Sequence, residues 1–464
     1  MAIGDERAQR PAGSRPVSGV APPSDRAVPP PTSHPAVVGP GASPVSAGRR
    51  GLAVALAVAG LVVAATIDAG TKLWWSDLVP LEDLDVYRRA GQAVLDGRPL
   101  YEPAGPQLVF TYPPFAGLAS VALVPLPQRL AYLLWTFGQV AVVVWLVWVS
   151  FAPLLRRLRT DHRILALGGV ATALLLTQPL MENLVLGQVN VLLAGLVVAD
   201  LLPRRRRLPQ GVLIGLATAA KLVPGIFVVY LLVTRRWRAA AVAVATFVVV
   251  DLVAWAVLPS SFTRYWTTEL WATDRIGDLA YTSNQSLRGL LERLVPGSTA
   301  AWLAVVAAVA VVGLVRARRA HDRGDELAAI AVVGLLGALA SPIAWVHHLV
   351  WLIPALGVLV GDARDRRRVA LAVVVAALLV PRLPWHAADA LAGPDPAASW
   401  LRPLLGVVQD GDGLLALVCV LFGPVPRRWR APPGDGSGEG RDAERAARSP
   451  LAGPAAGPDV TTPR

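Results

Sequence analysis

Apolar runs of 15 to 23 residues recur from Gly51 to Phe422, separated by short segments in which arginine, proline and glycine concentrate. A helix needs about 20 residues, range ~17 to 25, to cross the hydrocarbon core of a bilayer, so runs of this length read as spanning helices. The pattern places spans near 51–70, 129–151, 164–180, 186–202, 239–258, 299–315, 326–341, 343–360, 369–383 and 401–423. The apolar piece 115–127 is too short to cross and must dip into the membrane. Segment 209–233 starts and ends at arginine clusters, yet its 25 residues cannot make two crossings. It reads as a short or re-entrant hairpin broken between Lys221 and Pro224. The predicted fold is all-α: a polytopic membrane protein of about 10 spans plus re-entrant or short helices.

Residues 1–48 and 431–464 are rich in Pro, Gly, Ala, Ser and charge, and they predict disordered tails flanking a transmembrane domain over 49–430. The first apolar run follows 48 polar residues and lacks a convincing cleavage site, so it reads as a first spanning helix. Over the whole chain of 464 residues 16% are charged and 54% apolar, against roughly 25% charged in a soluble domain. That excludes an ordinary soluble enzyme. The net charge of +12 and the pI near 10.8 would suit a nucleic-acid partner, but the placement of the charge argues against one. Lys72 and Lys221 are the only lysines among 44 basic residues, and most arginines lie in clusters between apolar runs: Arg49-Arg50, Arg156 to Arg163, Arg204 to Arg207, Arg235 to Arg238, Arg316 to Arg323, Arg364 to Arg368 and Arg427 to Arg430. Under the positive-inside rule all seven clusters are cytoplasmic. The span parity then leaves both termini cytoplasmic and loops 71–128, 259–298 and 384–400 outside. The single cysteine, Cys419, lies in an apolar run and supports neither a disulfide framework nor a Cys-based metal site.

The outer side holds the candidate chemistry. Its first loop reads Glu82-Asp83-Leu84-Asp85-Val86-Tyr87-Arg88-Arg89, continues through Gly97-Arg98-Pro99-Leu100-Tyr101 and ends in Phe110-Thr111-Tyr112-Pro113-Pro114-Phe115. Asp83 and Tyr87, four apart, share a helical face, while Asp85 points elsewhere. A carboxylate at the membrane surface beside aromatic rings serves as a general base or binds sugar hydroxyls; an acid at a loop start also serves as a helix cap, and Tyr87 and Tyr112 also fit an interfacial belt. Ser341-Pro342-Ile343-Ala344-Trp345-Val346-His347-His348 forms an outer turn, with the two histidines one to two turns into the next span. Intramembrane ionisable groups point to function, and adjacent histidines cannot share one face. Six histidines without a HxxxH pair argue against a metal. Arg264, Arg275 and Arg288 run against the orientation bias. They suit an anionic phosphate, or pairing with Glu269, Asp274 or Asp278. Gln188 and Asn190 in Gly187-Gln188-Val189-Asn190, together with Lys221 and Asp251, are further buried polar groups, and interhelical hydrogen bonding accounts for the two amides as well.

These pieces, with Gly215 to Lys221, Pro224 and Asn284-Gln285-Ser286-Leu287-Arg288-Gly289, resemble in order the actinobacterial polyprenyl-phosphate-mannose-dependent alpha-(1→2)-mannosyltransferases, glycosyltransferase family 87 of GT-C type. The resemblance runs from about residue 52 to 423. It implies a GT-C fold with an outer-face groove, in the plasma membrane. It also implies a polyprenyl-phospho-mannose donor, a lipid-linked mannoside acceptor such as a phosphatidylinositol mannoside or lipomannan, inversion at the anomeric carbon, and no nucleotide sugar. Asp83 matches the family's first-loop acid and takes the base role. His347 or His348 is the rival base or the donor to the leaving phosphate, and Asp85 stands where a polar or His residue is expected. Tyr87, Tyr112, Gln188, Asn190, Lys221, Arg264, Arg275, Asn284, Gln285, Arg288 and Trp345 are the expected substrate-binding residues. A monophosphate leaving group is neutralised by Arg or His alone, so neither a metal nor another cofactor is expected. The rival readings are a lipid-linked sugar transporter or flippase, which would place charges near the midplane and on both faces, and a GT-C transferase of another sugar.

Overall fold

The computed structural model describes residues 51–61, 81–102, 108–202, 207–272, 275–393 and 400–423. Both expected tails lie outside these residues, as do Asp274, most of the Arg204 to Arg207 cluster and Arg427 to Arg430. In chain order the helices are α1 (Gly51–Leu61), α2 (Glu82–Leu95), α3 (Pro114–Ser120), α4 (Gln128–Ser150), α5 (Ala152–Leu155), α6 (Thr160–Leu175), α7 (Gln178–Val185), α8 (Asn190–Leu201), α9 (Val212–Ala220) and α10 (Ile226–Val233). They continue with α11 (Trp237–Val257), α12 (Pro259–Arg264), α13 (Leu287–Leu294), α14 (Thr299–Asp322), α15 (Glu326–Ala340), α16 (Leu352–Val360), α17 (Arg366–Leu378), α18 (Leu383–Ala392), α19 (Arg402–Gln409) and α20 (Gly411–Phe422). Among the described residues no β-strand forms, only an isolated bridge between Asn284 and Trp345.

Three helices, α4, α11 and α14, are long and apolar enough to cross a membrane. Three more spans arise if bent pairs count as one each: α6 with α7 (78°), α17 with α18 (47°) and α19 with α20 (66°). Proline marks two of these bends, Pro179 at the start of α7 and Pro384 at the start of α18. A proline is tolerated only in the first turn, where its missing N–H costs nothing. The remaining apolar helices, including α8, α15 and α16, are shorter. The described elements therefore support a helical membrane protein and stop short of ten full spans. Large apolar side chains face outward on the long helices, with Phe137 of α4 67%, Val249 of α11 59% and Val311 of α14 65% exposed. A continuous apolar surface of this kind is covered by lipid.

Helix α15 is buried on every side from Leu327 to Leu339 and is packed by α10, α14, α16 and α20. A helix apolar all round belongs at the centre of a bundle. The predicted break in 209–233 is present: α9 ends at Ala220, Lys221 is extended (φ −158°, ψ 127°), and a 3-10 turn at Val223–Gly225 leads into α10. The short piece 115–127 forms α3 and one 3-10 turn. Helix α2 is amphipathic and buries Leu84, Tyr87 and Gly91 on one face against α3. Gly91 lets the helices touch, because a Cβ there would lie 2.5 Å from the Ser120 carbonyl oxygen. The start of α2 is pinned to the α7–α8 turn by Leu81 N–H to the Val185 carbonyl (2.7 Å) and Asp83 N–H to the Leu186 carbonyl (2.9 Å).

Candidate active site

Four segments distant in sequence meet at one place: the first turn of α2, the α7–α8 turn, the break after α9 and the 3-10 turn Val346–Trp351 before α16. The α7–α8 turn depends on Gly187 at φ +71°, where a Cβ would sit 2.9 Å from the Leu84 Cβ; only glycine fits both the angle and the space. Gln188 follows and becomes the hub. Its Oε1 accepts from the Tyr112 hydroxyl at 3.2 Å and lies 3.3 Å from the Tyr87 hydroxyl, and the two hydroxyls are 2.9 Å apart. The same side chain favours the ionised form of the Asp83 carboxylate. Burial holds the Tyr87 and Tyr112 phenols above their ordinary range, so both remain protonated.

Burial also raises the Asp83 pKa. His347, Gln188 and Lys221 oppose that rise by favouring the carboxylate. A carboxylate raised in this way is a stronger base while remaining ionised above its own pKa. Lys221 Nζ donates to Asn190 Oδ1 at 2.8 Å and lies 2.9 Å from His348 Nε2. An ammonium carries three donors, of which these two contacts use at most two. Asn190 in turn donates to the His347 carbonyl at 3.2 Å and ties the α8 start to the histidine turn.

The tight turn sends the two histidines apart: their rings are 5.0 Å apart and crossed at 83°. His348 faces Lys221, while His347 Nδ1 lies 3.9 Å from Glu182 Oε2, and neither His347 ring nitrogen has a hydrogen-bond partner. The sequence placed this pair inside a continuous helix, whereas the backbone runs as a 3-10 turn to Trp351 before α16 begins. Glu182 also accepts from Gln178 at 2.9 Å and lies 3.9 Å from Arg382. Glu182 lies between the spans expected over 164–180 and 186–202, where the sequence assigns it no role. Beside Lys221, Asn190 and His348 lies a small cavity of about 20 Å³, whose other walls include Leu193, Phe227 and Trp351.

The remaining candidates lie elsewhere. Asp85 turns toward α4 and accepts from the Tyr132 hydroxyl at 2.6 Å. Arg264 and Arg275 both contact Glu269 at 2.6 Å, one on each carboxylate oxygen, and Arg275 also donates to the Phe110 carbonyl at 3.1 Å. Arg288 pairs with Glu292 at 3.3 Å and lies over the Trp302 ring. Asn284 and Gln285 are fully buried. Asn284 accepts from Ala344 N–H at 3.0 Å, and Gln285 donates to the Thr282 and Gln409 carbonyls at 2.8 and 2.9 Å. The two brace the loop that carries the histidines. Trp345 is partly exposed and packs edge-on against Tyr281 at 6.0 Å.

The lipid-facing helical bundle gathers a partly buried carboxylate, a lysine and paired hydroxyls at one place, an arrangement suited to group transfer. The profile of glycosyltransferase family 87 matches residues 110–342, and the chain belongs to that family. It is 35% identical over 352 residues to the polyprenol-phosphate-mannose-dependent alpha-(1-2)-phosphatidylinositol mannoside mannosyltransferase of Mycobacterium tuberculosis, covering 70% of this chain and 81% of the relative. The protein of the same name in Mycolicibacterium smegmatis is 37% identical over 325 residues, 64% of this chain and 73% of its own. A pentamannoside mannosyltransferase of that organism is 35% identical over 304 residues, 61% and 72% of the two chains. No solved structure gives a significant match.

Proposed function

We propose that this enzyme transfers mannose from polyprenyl-phospho-mannose to a mannose hydroxyl of a phosphatidylinositol mannoside or a related lipid glycan, forming an alpha-(1→2) linkage with inversion. Family membership and the names of the relatives support the sugar, the donor and the acceptor class. The observation that carries the reading is Lys221 held by Asn190 and His348 at the break after α9, within electrostatic reach of the Asp83 carboxylate, since an acid and a fixed cation are the parts that such a transfer requires.

In the proposed reaction the acceptor O–H gives its proton to the Asp83 carboxylate as its oxygen attacks the anomeric carbon. The bond from that carbon to the phosphate oxygen breaks with its electron pair leaving on the phosphate. Lys221 meets that charge with its remaining N–H, in a place where Asn190 and His348 hold it fixed. Gln188 aligns Asp83, and Tyr87 and Tyr112 fix Gln188.

The positive-inside rule applied to the arginine clusters supports a site on the outer face of the plasma membrane, with about ten crossings and cytoplasmic tails flanking a catalytic domain over 49–430. Membranes containing the enzyme, supplied with radiolabelled polyprenyl-phospho-mannose and a phosphatidylinositol mannoside, are expected to yield a labelled lipid that alpha-mannosidase digests. No labelled product from this donor with any mannosylated lipid would remove the proposal.

A further inference from the structure

At the opposite pole from the loops that carry the acid and the histidines, helix α14 ends in the run Arg316 to Arg323. The sequence gives this run only an orienting role. Arg316, Arg319 and Arg323 fall at i, i+3 and i+7, on one face of the helix, and with Gly423 at the end of α20 they line a cavity of about 210 Å³. Three guanidinium groups around one cavity repel each other unless an anion joins them.

The chain supplies none among the described residues. Asp322 is taken by Arg318 at 2.8 Å. Glu326 is taken by Arg236 and His321, each at 2.7 Å. Asp325 is fully buried and caps α15 by accepting from Ala328 N–H at 3.0 Å. Arg316 gives one nitrogen to the Gly423 carbonyl, while its Nε is buried with no partner. The sequence that follows Gly423 has no acidic residue before Asp435 and adds Arg427, Arg428 and Arg430.

The geometry points to a binding site for the phosphate group of an anionic membrane lipid, held by Arg316, Arg319 and Arg323 at the end of α14. The apolar part of α14 is long enough to span the bilayer, so its terminal arginines stand at headgroup depth, where a lipid phosphate is the abundant anion. Guanidinium groups bind phosphate through two parallel N–H bonds. The site is separate from the mannosyl-transfer chemistry and does not rest on it.

The test is native mass spectrometry of the purified full chain titrated with phosphatidylglycerol, phosphatidylcholine or inorganic phosphate. Each basic residue near a charged membrane surface contributes roughly fivefold in affinity. Arg319→Gln/Arg323→Gln is therefore expected to weaken phosphatidylglycerol binding by about 30-fold. The control Arg364→Gln/Arg366→Gln removes the same charge from another cluster and is expected to change binding less than threefold. Thermal unfolding without lipid confirms that both variants are folded, and the single variant Arg323→Gln replaces the double one if it is not. Equal losses in the two variants, or equal binding of phosphatidylcholine, would overturn the site. Inorganic phosphate binding as tightly as the lipid would overturn the lipid as its ligand.

Discussion

Replacing Lys221 by Met keeps the length of the side chain and removes its charge, which separates the proposed electrostatic role from packing. In the wild type, Nζ serves Asn190 Oδ1 at 2.8 Å and His348 Nε2 at 2.9 Å and keeps one N–H free. Losing one preorganised donor to a developing oxyanion costs about 10²- to 10³-fold in kcat. The two buried acceptors left unpaired cost about 1 to 3 kcal/mol each in stability. Lys221 also favours the ionised form of Asp83. Its removal therefore raises the Asp83 pKa further, and the acidic limb of the pH–rate profile moves to higher pH. Lys221→Arg retains the charge and is expected to keep more activity. The assay is transfer of radiolabelled mannose in membranes at matched protein level across pH 5 to 9. A Lys221→Met enzyme within threefold of wild type, or an acidic limb moving to lower pH, would refute the reasoning.

Other outcomes follow from the same geometry. Gln188→Leu strips the hydrogen-bonding partner from Tyr87 and Tyr112 and removes a group that favours the Asp83 carboxylate, and is expected to lower kcat at least tenfold and to lower the melting temperature in a thermal scan. Glu269→Gln leaves Arg264 and Arg275 without their shared carboxylate; breaking a buried pair costs about 3 to 5 kcal/mol, so it should reduce stability more than it reduces kcat. Asn284→Ala removes the clamp on the Ala344 N–H and should lower the melting temperature by several degrees while leaving KM for the donor nearly unchanged. Excess chelator is expected to leave the transfer rate unaltered, measured in membranes washed free of divalent ions.

Much of the site was legible because polar residues are conspicuous in a chain that is 54% apolar. Gln188, Asn190, Lys221 and the two histidines each interrupt an apolar stretch, Asp83 stands in an acidic run before Tyr87, and the fold brings these residues together. The break at Lys221 was legible for the same reason, since a cation followed by Pro224 cannot continue an apolar helix. The helical class followed from run length alone. Pairing was not legible. Arg264 and Arg275 stood out as unneutralised arginines, and the choice of Glu269 depends on how the loop after α12 folds back on itself. Asp85 is two residues from Asp83, and only the docking of α4 shows that its partner is Tyr132. Glu182 drew little attention, because its meeting with His347 joins residues 165 positions apart. The bends before α7 and α18 shorten segments that read as straight spans, since hydropathy counts apolar residues and is blind to direction.

The central claim is that Asp83 takes the proton from the acceptor hydroxyl, and the variant Asp83→Asn tests it most directly. The amide keeps the shape of the side chain and cannot accept a proton. General-base catalysis is worth about 10²- to 10⁴-fold, so mannosyl transfer from polyprenyl-phospho-mannose by Asp83→Asn is expected to fall by that factor, with the protein inserted and folded and with KM for the donor little changed. Transfer at the wild-type rate would contradict the account and return the base role to His347 or His348.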